Sequence, residues 1–134
     1  MRSRQLPILA AVVAILLSIL ACGGSVSTAN IADAWMSTDE AGNTRTTVFT
    51  QDAVFYAQVD LRNAPDDTNL KAVWIAVDVE DTEPNLTINE TEINTGSGLV
   101  HFQLSNDNLW PLGKYKVEIY LDGKLAKTLE FEVR

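Results

Sequence analysis

Sulfur and imidazole are almost missing, with one cysteine and one histidine in 134 residues. A lone cysteine cannot close a disulfide within the chain, and the pair cannot build a multi-ligand zinc or iron centre. Basic charge is scarce too: 10 Lys and Arg face 18 Asp and Glu, a formal net charge of −8. That excludes the basic surface with which proteins displace counterions from phosphates, so no nucleic-acid partner is expected. No apolar run is long enough to span a bilayer. The longest, Ile8–Ala21, is interrupted only by Ser18, and would form about 21 Å of helix against a hydrocarbon core of ~30 Å. Beyond it, no segment sustains a helical period. A Gly-x-Ser-x-Gly nucleophile elbow is lacking. Gly96-Ser97-Gly98 leads into a strand pattern, whereas a phosphate cradle needs a helix behind its glycines. Neither an enzyme nor a cofactor is expected.

What is present begins with an address. Arg2 and Arg4 precede the apolar run, the order of a secretory leader. The run ends in Ile19-Leu20-Ala21-Cys22-Gly23-Gly24. This segment resembles the lipobox of bacterial lipoproteins: a branched apolar residue, a small residue, then cysteine. Leu20 is bulkier than the family favours at its position. The resemblance implies a signal peptide over 1–21 and a lipidated Cys22 that becomes the mature N-terminus and carries acyl chains such as palmitate. It implies a cell-membrane lipoprotein facing the extracytoplasmic side. Each buried methylene contributes ~0.8 kcal/mol, so two or more chains hold a protein on a bilayer. Residues 22–30, rich in Gly, Ser and Thr, suit a flexible tether. Losing Arg2 and Arg4 would leave 8 basic and 18 acidic residues, net −10. Contact with an anionic membrane would then run through the lipid, not the protein surface.

From residue 31 the apolar period is near two. Ala53, Phe55, Ala57, Val59 and Leu61 share one face; Val54, Tyr56, Gln58, Asp60 and Arg62 share the other. Such alternation predicts a half-buried antiparallel strand. Residues 99–104 repeat it with Val100, Phe102 and Leu104 inward, and 114–121 with Tyr115, Val117, Ile119 and Leu121 inward. Asp122-Gly123 is a favoured two-residue hairpin turn, returning along 125–133. Leu70–Val79 is apolar on both faces, the mark of a central strand. Further strands are predicted over Ile31–Ser37, Arg45–Thr50 and Leu86–Ile93. About seven or eight short strands at regular spacing predict an all-β sandwich over 31–134.

Trp74 in the central strand, and Leu109-Trp110-Pro111-Leu112-Gly113-Lys114-Tyr115-Lys116-Val117, resemble immunoglobulin-like and fibronectin type III-like domains. There a large aromatic is buried mid-sheet and a corner tyrosine bonds back to the preceding turn. The resemblance implies structural roles for Trp74 and Tyr115 and an antiparallel immunoglobulin-like sandwich. It carries no function by itself.

The remaining chemical resource is carboxylate, unevenly spread. Residues 31–92 hold 13 acidic and 3 basic residues, and 93–134 hold 5 of each. Asp66, Asp67, Asp78, Glu80 and Asp81 would be a weak calcium site if their loops converged; an acidic rim that keeps strand edges soluble explains them as well. His101 lies outward on its strand without partners. Trp35 is expected to pack in the core. The expected function is a non-catalytic protein-binding or accessory module of the cell envelope. Alternatives are a peptidase inhibitor, using the Ser105–Trp110 or Asn94–Gly98 loops, and a calcium-stabilised adhesion or envelope-organising domain.

Overall fold

The computed structural model describes residues 28–134. The expected leader, Cys22 and most of the tether therefore lie outside the described residues. Eight strands follow in order: β1 (Asn30–Ser37), β2 (Val48–Phe49), β3 (Phe55–Arg62), β4 (Thr68–Val79), β5 (Leu86–Thr95), β6 (Gly98–Leu104), β7 (Gly113–Leu121) and β8 (Lys124–Val133). They form a three-stranded sheet, β1-β3-β6, and a five-stranded sheet, β2-β8-β7-β4-β5. The two sheets enclose one core, which makes an immunoglobulin-like β-sandwich.

Period-two patterning decides which side chains enter that core. Phe55, Ala57, Val59 and Leu61 of β3 are buried together with Leu70, Ala72, Trp74 and Ala76 of β4. Tyr115, Val117 and Ile119 of β7 join them. The core is aromatic at one end. Phe55 stacks on Trp110 with ring centroids 4.5 Å apart and meets Phe131 and Phe49 edge-on at 4.8 and 5.0 Å. Such pairs add roughly 0.5–1.5 kcal/mol each beyond area burial.

β4 is apolar on both faces for two separate reasons. Its inner residues fill the core, while Val73 and Ile75 face outward yet stay buried. Their neighbours across the ladder are Glu118 and Lys116 of β7, both largely covered themselves. Long charged side chains laid over apolar ones keep such a face wetted.

Asp122 and Gly123 both take positive φ, 48° and 83°, as a type I′ hairpin requires. The Asp122 carboxylate also accepts the Asn69 amide at 2.9 Å, and its own amide donates to the Asn69 carbonyl at 2.9 Å. The turn thereby fastens the start of β4.

Two expectations need correction. Of the predicted Arg45–Thr50 strand, Arg45 makes an isolated bridge to Ser37 and Val48–Phe49 runs parallel to β8, so the sandwich is not wholly antiparallel. The excursion Thr38–Thr44 closes on itself through Thr38 N–H to the Thr44 carbonyl (3.1 Å) and a Ser37–Arg45 bridge. The chain then resumes its β1 heading on the other sheet, the heading β8 already has. Trp35 is the second correction. Met36 points inward and is buried, so Trp35 takes the outer face and is half-exposed. Its indole N–H donates to the Gly42 carbonyl at 3.0 Å, and the Arg45 guanidinium lies 3.9 Å from its ring centroid.

The same excursion covers Gln58. Alternation assigns Gln58 outward, yet it is 0% exposed. Its amide nitrogen donates to the Glu40 carbonyl at 2.9 Å and to Ser37 Oγ at 3.2 Å. Gly42, with φ of 78°, lets the loop lie this close; a Cβ there would come within 2.9 Å of the Gln58 side chain. Asp39 holds the loop's shape by accepting the Thr44 and Asn43 amides at 2.8 and 2.9 Å. Those donors, Thr44 first, lower its pKa.

Candidate functional site

The five carboxylates proposed as a calcium set do not come together. Asp66 and Asp67 immediately precede β4, whereas Asp78 is near its far end and Glu80 and Asp81 follow it. Twelve residues of one strand set the groups apart by roughly 35 Å, at ~3.3 Å per residue. Among the described residues, no group of three or more His, Cys, Asp or Glu could hold a metal ion. Sequence proximity misleads here because an uninterrupted strand is the longest separator a short segment can be.

Trp74 and Tyr115 lie in the core. Trp74 is 1% exposed, between Phe55 and Phe131. Tyr115 donates its hydroxyl to the Pro111 carbonyl at 2.6 Å, a corner bond that fixes the approach to β7. Burial pushes its phenol up to about 12. His101 pairs with Glu40 at 3.4 Å, a partner sixty-one positions away that sequence spacing does not reveal.

Concavities are shallow. One groove of about 500 Å³ is lined by Thr47, Val77, Lys114, Tyr115, Glu130 and neighbours. A second, about 530 Å³, runs between β1 and β8 past Trp35, Arg45 and Leu129. Neither gathers a nucleophile with a base, or a carboxylate pair across a cleft. The loops fall at two ends. The β6–β7 loop, with Leu109 62% exposed, lies with the β4–β5 loop at the end where β1 finishes. The β5–β6 loop lies with the β3–β4 loop at the end where β1 begins, and Thr28 donates there to the Asn63 carbonyl at 2.9 Å.

One open feature is an edge of the five-stranded sheet. Among the described residues β5 pairs with β4 on one side only, which leaves its other edge without a neighbouring strand along ten residues. Register places Glu90 opposite Val73 and Glu92 opposite Lys71, both on the outer face. Ile88 and Ile93 face the core and are half-buried.

The class these features define is the immunoglobulin-like sandwich, and solved structures agree. An immunoglobulin-like protein from Pseudomonas aeruginosa matches with TM-score 0.54 and 14% identity, covering 82% of this chain and 99% of that one. The alkylpurine DNA glycosylase AlkC of Pseudomonas fluorescens, bound to DNA containing an abasic site analogue, matches with TM-score 0.52 and 13% identity. That match covers 87% of this chain but 33% of the glycosylase, so the chain spans about a third of it. At these identities the likeness concerns the fold. No protein-family model and no curated protein matches the chain.

Proposed function

We propose that the protein is a non-catalytic accessory module of the cell envelope, held on the extracytoplasmic side of a membrane by lipid on Cys22 and binding a protein partner. The observation that carries this reading is the immunoglobulin-like sandwich whose ten-residue β5 edge has no neighbouring strand on one side among the described residues. Such an edge supplies backbone donors and acceptors for a partner strand. The Arg2/Arg4 flank, the apolar run and Ile19-Leu20-Ala21-Cys22 support the lipid address. The described chain enters the sandwich at the end bearing the β3–β4 and β5–β6 loops. A tether there would turn the β4–β5 and β6–β7 loops away from the bilayer and leave the β5 edge accessible along the side.

The test is metabolic labelling with a fatty acid in the native host, followed by cross-linking and recovery of partners from the envelope. Label on the wild-type chain and none on Cys22→Ser supports the anchor, and a protein recovered specifically with the labelled chain supports the module. A chain recovered unlabelled from the cell interior refutes the reading.

A further inference from the structure

We infer that the free edge of β5 accepts an extended segment of a partner protein bearing Lys or Arg at alternate positions, as an added strand of the five-stranded sheet. The inference rests on the accessory-module reading and names its docking surface and the chemistry of its partner.

Three observations converge on this occupant. First, among the described residues the β5 backbone has no neighbouring strand on one side over ten residues, long enough for a complete augmenting strand. Second, Glu90 and Glu92 stand two residues apart on the outer face, so their spacing along the strand is about 6.6 Å, the repeat of alternate side chains on an added strand. Neither carboxylate is in an ion pair among the described residues. Lys71, opposite Glu92, turns its ammonium over the Tyr120 ring at 4.7 Å, and Glu92 meets only the Asn69 amide at 3.5 Å. Opposite charges directly across a ladder stabilise pairing, and like charges oppose it. Third, the inner side of the same edge carries Thr91, Ile93 and Thr95, with Ile93 packed against the core. A strand that alternates basic and β-branched residues matches both sides.

A second copy of this chain is the poorer occupant. Antiparallel self-pairing keeps each face on its own side, so the register centred on Thr91 sets Glu90 against Glu92 of the other copy. Centring on either glutamate sets it against itself.

The experiment titrates the full chain in detergent with a fluorescent peptide, Thr-Lys-Val-Lys-Val-Lys-Thr, at moderate salt. Comparison peptides replace a central Val by Pro, or the Lys residues by Glu. The protein variant is Glu90→Lys with Glu92→Lys, two exposed positions whose reversal leaves the core intact. Expected are binding of the lysine peptide, at least about tenfold weaker binding to the reversed chain, loss of binding with the proline peptide, and hydrogen-exchange protection confined to 86–95. Equal binding of the proline peptide would overturn the inference, because charge attraction alone would then suffice. Protection elsewhere, equal binding to the reversed chain, or a wild-type dimer paired through β5 would overturn it too. The two readings fail separately. An envelope partner retained by a reversed chain that ignores the peptide refutes the edge and leaves the module. An unlabelled Cys22 beside intact peptide binding refutes the anchor and leaves the edge.

Discussion

The five-stranded sheet has two long flanks, and they are treated differently. On the β8 flank, Lys124 and Lys127 sit opposite the inward-facing Leu121 and Ile119, so their charges project on the core side. A bulge breaks the register between Ile119 and Tyr120, and β2 covers the last residues. Inward charges, bulges and a covering strand are the standard means of blunting an edge. On the β5 flank, a bulge near Trp74 is the only such device among the described residues. Beyond it Asn89–Thr95 run unbroken, with Thr91 and Ile93 on the core side and Glu90 and Glu92 outside. The lesson is that this domain carries edge-blunting devices at one flank and, at the other, leaves an edge marked by two outward glutamates.

The contrast can be broken most forcefully at Phe49. Its ring is 2% exposed and packs edge-on against Phe55 and Phe131, pinning β2 over β8. Phe49→Ala is expected to cost about 3–5 kcal/mol in urea unfolding and to shift the elution volume toward larger species as the last residues of β8 are uncovered. A variant that stays monomeric despite that loss would show that β2 is not the guard. Asp122→Ala releases β8 from the other end. It removes the acceptor for the Asn69 amide and the tolerance for positive φ, with an expected loss of about 1–2 kcal/mol.

Tyr115→Phe is expected to cost about 1 kcal/mol at neutral pH through the lost bond to Pro111. It also tests the alkaline limb. Burial raises the phenol from 10.0 to about 12, so the unfolded chain ionises first. The associated stability is whole below pH 10 and disappears as pH rises toward about 12, a slope that should be shallower in the Phe variant in pH-dependent denaturation. The smallest stability effect sharpens the comparison most. Lys124→Thr with Lys127→Thr should leave stability within about 0.5 kcal/mol yet promote concentration-dependent association in sedimentation. Unchanged monomer behaviour would mean the lysines do not protect that edge.

Much of this was legible in the residues. The alternation through Phe55–Leu61, the doubly apolar stretch around Trp74, and Asp122-Gly123 are local signals, and each marks an element of the sandwich. Where prediction failed, the missing information was non-local. Gln58 obeys its strand parity, but nothing near it announces that residues 38–44 will fold over it. Trp35 was expected in the core because it is large and apolar; the inward parity belongs to Met36. The acidic residues looked clustered because they are close in sequence, although β4 carries them to opposite ends. Which strands end up as flanks depends on the order β2-β8-β7-β4-β5, which no single segment encodes. The pairing that most distinguishes β5 from β8 was therefore the part least available from sequence.

The heading shared by β1, β2 and β8 has a mechanical consequence. Residue 28 emerges at one end of the sandwich and residue 134 at the other. Traction between them runs along the strand axes. The β1–β3 and β2–β8 ladders would then be loaded in shear, with their bonds strained together instead of peeled open singly. That geometry resists extension by a force applied between the two ends of the described chain.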